Sequence, residues 1–313
     1  MCRQVPRRDS GDMSFVVSTE HLSKRYGDTA VVNDLNLRIP EGCVYGFLGP
    51  NGSGKSTTMK MLLSLIRPSS GTIEIFGEPM SRHSRRRLLG SIGSLIESPP
   101  GYGHLTGAEN MRVVQRLLGL SDQQIALAVD TVRLGKQMNK KVRNYSLGMK
   151  QRLGIAMALA RQPRLLILDE PTNGLDPAGI DEIRQLLRRL ADGGVTVMVS
   201  SHLLGEIDKT ANMLGILSGG QMLFQGSREA LFTASLPDLI LSTPDPRHTR
   251  SLLNSAADAH IDGSAVRVSG LDSTGAAHLI RHLVNAGDEI YEARRDEQSL
   301  EDVFMHLTGG GEL

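Results

Sequence analysis

Residues 49–56 constrain this chain more than any other stretch. They read Gly-Pro-Asn-Gly-Ser-Gly-Lys-Ser and match the pattern G-x-x-x-x-G-K-[ST], which binds phosphate where a strand precedes it and a helix follows. Residues 43–48 form an apolar run that predicts a buried strand, and residues 56–67 carry apolar side chains at helical spacing. The context therefore predicts a phosphate-binding loop whose following helix also favours anions.

Single residues of this loop have distinct predicted roles. Glycines at 49, 52 and 54 allow backbone N–H groups to converge on phosphate oxygens. Lys55 is predicted to reach the β and γ phosphates, and the Ser56 hydroxyl to bind Mg²⁺. Tyr26 follows the first strand pattern, and beside a phosphate loop its ring favours stacking on a nucleobase over simple packing.

Further polar side chains follow apolar strand patterns. Asp169 and Glu170 follow one such run, His202 another and Glu97 a third. Adjacent carboxylates at the end of a buried strand are costly unless they meet a cation, which Mg²⁺ on the phosphates would supply. Because the carboxyl ends of parallel strands share one sheet edge, we expect the site at that edge. Glu97 is either a surface carboxylate or part of the site.

Composition narrows the class of protein. The chain has 313 residues, of which 40% are hydrophobic, with 35 Lys and Arg against 34 Asp and Glu. This balance gives no global attraction to polyanions, so we expect no nucleic-acid partner. No apolar run approaches the roughly 18 residues of a membrane span, and the two cysteines suit a reducing compartment such as the cytosol.

The segments after the phosphate loop predict an inserted helical lobe. Thr106 with Glu109 and Ser121 with Gln124 fit the capping box, so a helix is predicted to begin at each site. Ser146 is placed to cap a long helix through residue 160, and Gly148 leaves the backbone exposed at its start. Asp176 and Pro177 predict the start of the next helix.

A change of pattern after residue 226 predicts a second domain. Residues 238–293 alternate as β-α-β-β-α-β, with the last strand predicted at 289–293. This order is typical of a small α+β ferredoxin-like domain. The predicted divisions are a disordered extension at 1–14, a main domain at 15–232 and the small domain at 233–313.

Taken together, these motifs resemble the ATP-binding subunit of an ABC transporter. The phosphate loop, residues 145–152, residues 165–170, residues 171–177 and His202 occur in the family's order, and an ordered set is far more specific than one motif. The resemblance spans roughly residues 15–232. It implies an α/β P-loop NTPase core with a β-rich subdomain and an inserted helical subdomain, and ATP and Mg²⁺ as cofactors.

The resemblance also implies roles for single residues. Tyr26 would stack on adenine, Asp169 would orient Mg²⁺ through water, and Glu170 would polarise the attacking water. His202 would contact the γ-phosphate, and Asp176 would communicate across a dimer. The implied ATP-binding residues are Tyr26, Gly49, Pro50, Asn51, Gly52, Ser53, Gly54, Lys55, Ser56 and Thr57. The implied catalytic residues are Glu170, His202 and Lys55, and the implied metal-site residues are Ser56, Glu97 and Asp169.

Two departures from the family pattern stand out. The signature usually reads Leu-Ser-Gly-Gly-Gln, whereas residues 145–149 read Tyr-Ser-Leu-Gly-Met, which keeps Ser146 and Gly148. In the family these two residues would act on the γ-phosphate held by a second subunit. Glu97 stands where most relatives carry Gln, and residues 95–102 resemble the bacitracin-resistance and lantibiotic self-immunity exporters.

The resemblance predicts the ATPase subunit of an exporter for an antibiotic, peptide or lipid-linked compound. Its expected partners are separate polytopic membrane subunits and a second ATP-binding subunit, most simply a second copy, so the expected location is the inner face of the cell membrane. The alternative is a soluble ABC ATPase acting on ribosomes or DNA. Ribosomal relatives carry two ATP domains in one chain, and the chromosome-associated ones carry long coiled coils, whereas this sequence has one phosphate loop and no sustained heptads.

Overall fold

A computed structural model describes residues 14–97, 99–201, 204–234, 237–253 and 258–296. The chain divides into two compact units, and the boundary along the sequence lies between Gly226 and Ser227. The predicted extension, apart from Ser14, and the predicted γ-phosphate contact His202 lie outside the described residues. In the described part of the chain, no helix combines the length and apolar character that crossing a bilayer requires.

Strands and helices alternate along the first unit, joined by short 3₁₀ turns at Gly135–Gln137 and Val142–Asn144. Its elements are β1 (Phe15–Tyr26), β2 (Thr29–Leu35), β3 (Arg38–Pro40), β4 (Val44–Leu48), α1 (Lys55–Leu62), β5 (Ser70–Ile75), β6 (Glu78–Pro79), α2 (Arg85–Gly90), β7 (Ile92–Leu95), α3 (Gly107–Leu118), α4 (Asp122–Thr131), α5 (Leu147–Leu159), β8 (Leu165–Leu168), α6 (Pro177–Asp192), β9 (Thr196–Ser201), α7 (Leu204–Asp208), β10 (Met213–Ser218) and β11 (Gln221–Ser227).

The first strands form the predicted β-rich subdomain. β1 pairs antiparallel with β2, β3 and β5 in a five-stranded sheet. Val17 and Leu22 of β1 are fully buried. They pack with Val32, Ile39 and Ile75 of the neighbouring strands, because one face of an antiparallel sheet covers the core.

The central sheet sets the position of the site. Its six strands run in the order β11-β10-β4-β9-β8-β7, and the pairs from β10 to β7 are all parallel. β4 and β8 are buried along their whole length, as expected for parallel strands covered on both faces. In the register, Leu48 pairs with Ser201 and Leu168 pairs with Val199. The residues that follow β4, β8 and β9 therefore emerge on one sheet edge.

The helical lobe begins with two confirmed capping boxes. The Thr106 hydroxyl accepts a hydrogen bond from the Glu109 N–H, and the Glu109 carboxylate accepts one from the Thr106 N–H, which starts α3. Ser121 and Gln124 start α4 in the same reciprocal way. Ser146 caps α5 by accepting from the Met149 N–H at 3.3 Å. These side chains satisfy orphan backbone donors, so the helix starts are fixed by local sequence.

The second unit has a ferredoxin-like topology, which confirms the prediction. Its four-stranded sheet has the order β13-β14-β12-β15, with antiparallel neighbours, and it packs a small core around Leu239, Leu241, Val266, Val268 and Leu283. The predicted boundary at 232 and 233 falls within its first helix. The elements are α8 (Arg228–Ala234), β12 (Asp238–Ser242), α9 (Pro246–Leu252), β13 (Asp258–Asp262), β14 (Ala265–Ser269), α10 (Ser273–Asn285) and β15 (Glu292–Asp296).

The last strand was predicted too early in the chain. The sequence predicts this strand at residues 289–293, whereas β15 is Glu292–Asp296. Ile290 packs on the core from the connection before the strand. β15 pairs antiparallel with β12, and its Arg295 donates to the Leu271 and Asp272 carbonyl oxygens at 2.7 and 3.2 Å. β15 reads Glu-Ala-Arg-Arg-Asp, so the sequence has no apolar alternation there that would predict a strand.

Candidate functional site

The phosphate loop joins β4 to α1, as the sequence predicts. Gly52 and Gly54 have φ angles of 79° and 104°, a left-handed region that strains other residues. A Cβ atom at Gly54 would also lie 2.7 Å from the Val31 carbonyl oxygen. Both conformation and space therefore require glycine at position 54.

The loop has the donors that an anion needs. No side chain caps the start of α1, and its first turn contains no acidic residue, so its N–H groups and positive end face the loop. The buried Ser53 hydroxyl has no hydrogen-bond partner among the described residues. The Lys55 ammonium lies over the loop and donates to the Gly49 and Pro50 carbonyl oxygens at 2.7 and 3.1 Å. These groups fit a bound phosphate chain.

Opposing effects act on the Lys55 ammonium. Burial lowers its pKa, while the nearby carboxylates of Glu170 and Asp169 act in the opposite direction. The acidic pair after β8 therefore lies within electrostatic reach of the phosphate loop, as expected from the shared sheet edge.

A serine connects the two acidic residues. The Ser200 hydroxyl on β9 donates to the Asp169 carboxylate at 2.6 Å and accepts from the Glu170 N–H at 2.9 Å. Glu170 has a φ angle of 48°, an uncommon backbone conformation for a residue other than glycine. The Asn173 amide donates to its carboxylate at 3.3 Å. Ser200 thus fixes both the Asp169 side chain and the Glu170 backbone.

Ser200→Ala should lower the free energy of unfolding of the first unit by about 1–3 kcal/mol, because Asp169 and the Glu170 N–H both lose a buried partner. Chemical denaturation of the full chain measures this change. Ser94→Ala is the matched control, since Ser94 is exposed on β7, the edge strand of the same sheet. Equal stabilities of the two variants would show that the Ser200 bridge contributes nothing.

Glu97 and Tyr26 each contact a lysine. The Glu97 carboxylate forms an ion pair with the Lys60 ammonium of α1 at 2.5 Å. The hydrogen bond that the Lys60 ammonium donates to Glu97 raises the pKa of Lys60 and lowers the pKa of Glu97. Tyr26 is the last residue of β1 and is about half exposed, with the Lys24 ammonium 4.9 Å from its ring centroid. Its exposed ring leaves room for stacking.

The signature residues line a different cleft of the first unit. A cavity of about 880 Å³ is bordered by Ser146 and Gly148 at the start of α5 and by Asp176 at the start of α6. Asp176 caps α6 by accepting from the Gly179 N–H at 3.1 Å. Arg152 and Glu182 form an ion pair between these two helices. Within the described part of the chain, the lining of this cleft includes no phosphate-loop residue.

The structure thus brings Lys55, Asp169 and Glu170 together and places Ser146 and Asp176 at a second surface. Sequence reasoning missed Ser200 and Lys60 as members of the first group. The available signal for Ser200 was a polar residue at the end of an otherwise apolar strand. Lys60 had no such signal, because its partner is 37 positions away in the sequence.

A phosphate loop after β4, an acidic pair after β8 and a parallel sheet that joins them define a P-loop nucleoside-triphosphate hydrolase. A family model described as ABC transporter matches residues 32–173. The bacitracin transport ATP-binding protein BcrA of Enterococcus faecalis is 39% identical over 96% of this chain and 98% of its own length. The chain belongs to the ABC transporter family, as an ATP-binding subunit.

Further comparisons agree with this assignment. The lantibiotic transport ATP-binding protein SrtF of Streptococcus pyogenes is 44% identical over 67% of this chain and 90% of its own length. CbiO1 of Clostridium perfringens, from the cbiONQ transporter complex, matches 70% of this chain and 91% of its own, with 28% identity and a TM-score of 0.65. The dimeric cassette MJ0796, bound to ADP and Pi, is 25% identical with a TM-score of 0.61 and covers 67% of this chain and 98% of its own.

Proposed function

We propose that this chain hydrolyses Mg²⁺-bound ATP to power export of a peptide antibiotic of the bacitracin or lantibiotic type through separate membrane subunits. One observation carries the catalytic part: the phosphate loop and the Asp169–Ser200–Glu170 group converge at one sheet edge. The cargo rests on relatives named for bacitracin and lantibiotic transport, which match 96% and 67% of this chain.

In this proposal, the phosphate loop binds the triphosphate and Tyr26 stacks on adenine. The Lys55 ammonium exchanges its bonds to the Gly49 and Pro50 carbonyl oxygens for phosphate oxygens. This exchange keeps the ammonium hydrogen-bonded before and after ATP binds, which a buried charge requires. The Ser53 hydroxyl gains the partner that it lacks among the described residues.

The acidic residues divide the remaining work. Asp169 is held by Ser200 and would orient Mg²⁺ through water, and Ser56 would supply a hydroxyl ligand. Mg²⁺, when bound, neutralises charge on the phosphates. Glu170 accepts a proton from the attacking water and orients that water at the γ-phosphate. His202 has a proposed contact with the same phosphate.

Two chains complete each site in this proposal. Ser146 and Gly148 start α5 at a surface apart from the phosphate loop, so we propose that they act on ATP held by a second subunit. The α5 N-terminus would direct its N–H groups at the γ-phosphate. Asp176 borders the same cleft and would connect the two subunits. A second copy of this chain is the simplest partner.

The proposed location is the inner face of the membrane, docked on polytopic subunits and without a nucleic-acid partner. The ribosome and DNA alternatives lose support, because relatives matching 96% of this chain carry the name of a transport protein. In this proposal, ATP hydrolysis is coupled to a membrane subunit, whereas a soluble ATPase would hydrolyse ATP without one.

Cells that contain this chain and its membrane subunits should tolerate about tenfold more bacitracin or lantibiotic than cells with the membrane subunits and the Glu170→Gln chain, because export requires hydrolysis. The measurement is the minimal inhibitory concentration for each peptide, with a ribosome-targeting drug as the control compound. Equal susceptibility of both strains to all peptides would contradict the proposed cargo class.

A further inference from the structure

Glu97 reaches the catalytic edge through the register of the central sheet. β7 pairs in parallel with β8, and Leu95 pairs with Leu168. The Asp169 N–H then donates to the Leu95 carbonyl oxygen at 2.8 Å. Glu97, two residues beyond Leu95, therefore follows its strand at the same edge where Asp169 follows β8. This placement puts a third carboxylate at the same sheet edge as Asp169 and Glu170.

The Glu97 carboxylate has a defined position despite its exposure. Its side chain is 67% exposed, whereas the Lys60 side chain is 30% exposed, and the two form the 2.5 Å ion pair. Glu97 also has a φ angle of 66°, a conformation that residues other than glycine seldom adopt. The ion pair places the Glu97 carboxylate beside the Lys60 ammonium of α1.

Lys60 is itself fixed to the phosphate loop. It lies on α1, the helix that begins with Lys55. A ligand bound to the phosphate loop also contacts the start of α1. Lys60 lies on the same helix, so its ammonium stays at the sheet edge where Glu97 lies. A carboxylate in place of the family's usual amide adds a negative charge to the edge, and Lys60 is the cation that the structure places against it. The Lys60–Glu97 ion pair thus stands where most relatives have a neutral Gln side chain.

We propose that Lys60 is a positioning residue that competes with the metal site for the Glu97 carboxylate, an inference that rests on the proposed function. Glu97 binds Lys60 in one arrangement and ligates the metal ion, directly or through water, in the other. The departure from Gln at this position thus depends on Lys60. Removal of the Lys60 charge shifts Glu97 toward the metal.

A double-mutant cycle in the full chain tests this competition. The variants are Lys60→Met, Glu97→Gln and the double variant, and methionine keeps much of the apolar stem of lysine. Mn²⁺ serves as the probe. Electron paramagnetic resonance measures its affinity for the protein in the presence of a non-hydrolysable ATP analogue. Lys209→Met, at an exposed position in the first unit, is the matched control.

We expect Lys60→Met to tighten Mn²⁺ binding about threefold more in the natural background than in the Glu97→Gln background, the size of coupling typical of exposed ion pairs. Lys60→Arg should keep the natural affinity, because it retains the charge. An equal effect of Lys60→Met in both backgrounds would overturn the inference, because Lys60 would then act by its charge alone. Absence of nucleotide-dependent Mn²⁺ binding by the unmutated chain would overturn the proposed function and this inference with it.

Discussion

Glu170→Gln should lower the rate of ATP hydrolysis about 10²–10⁴-fold while ATP binding persists, since the range is that of general-base catalysis. The amide cannot accept the proton of the attacking water. The surrounding structure should persist, because the Glu170 N–H still donates to Ser200 and the amide oxygen still accepts from Asn173. The effect is thus chemical and not a consequence of unfolding.

Steady-state phosphate release measures the loss, and binding of a fluorescent ATP analogue measures the retained affinity. Glu292→Gln is the matched control, since it makes the same change at an exposed position of the second unit. The variant should also accumulate as an ATP-bound dimer, detectable by light scattering, because hydrolysis no longer separates the subunits. A rate within threefold of the unmutated chain would remove Glu170 from the proposed mechanism.

The elements that the sequence predicts well are those encoded by local pattern. The phosphate loop needs glycine at position 54 for steric reasons that act over a few residues. The capping boxes at Thr106 and Ser121 are likewise complete within four residues. The apolar runs of β4 and β8 required burial on both faces and therefore a parallel sheet. These features together predict that the carboxyl ends of the parallel strands form one edge, where the site lies.

The contacts that escaped prediction depend on register between distant strands. Ser200 meets Asp169 only because β8 and β9 pair with Leu168 opposite Val199. Lys60 meets Glu97 only because α1 and the end of β7 approach the same edge. Neither residue type points to its partner, because serine and lysine are common at strand ends and on helices. Pairings of this kind are set by tertiary structure and not by local propensity.

The separation of the signature cleft from the phosphate loop leads to the second large effect. Lys55→Met should reduce hydrolysis about 10²–10³-fold, because the ammonium that meets charge on the transferring phosphoryl group is lost. Ser146→Arg should reduce hydrolysis by a similar factor, because the bulky arginine side chain would block the start of α5. Ser121→Arg is its matched control, since Ser121 caps α4 in the same way and does not border the cleft.

Mixing the two inactive variants decides whether the parts act within one chain or across two. If Ser146 acts on ATP held by a second subunit, a mixed dimer contains one intact site, formed by the loop of the Ser146→Arg chain and the signature of the Lys55→Met chain. Random exchange makes half of the dimers mixed, so about a quarter of full activity should return. If both parts served the same chain, each variant would lack one of them and the mixture would remain inactive. Recovered phosphate release on mixing, absent when either variant is mixed with itself, therefore requires a site shared between two chains.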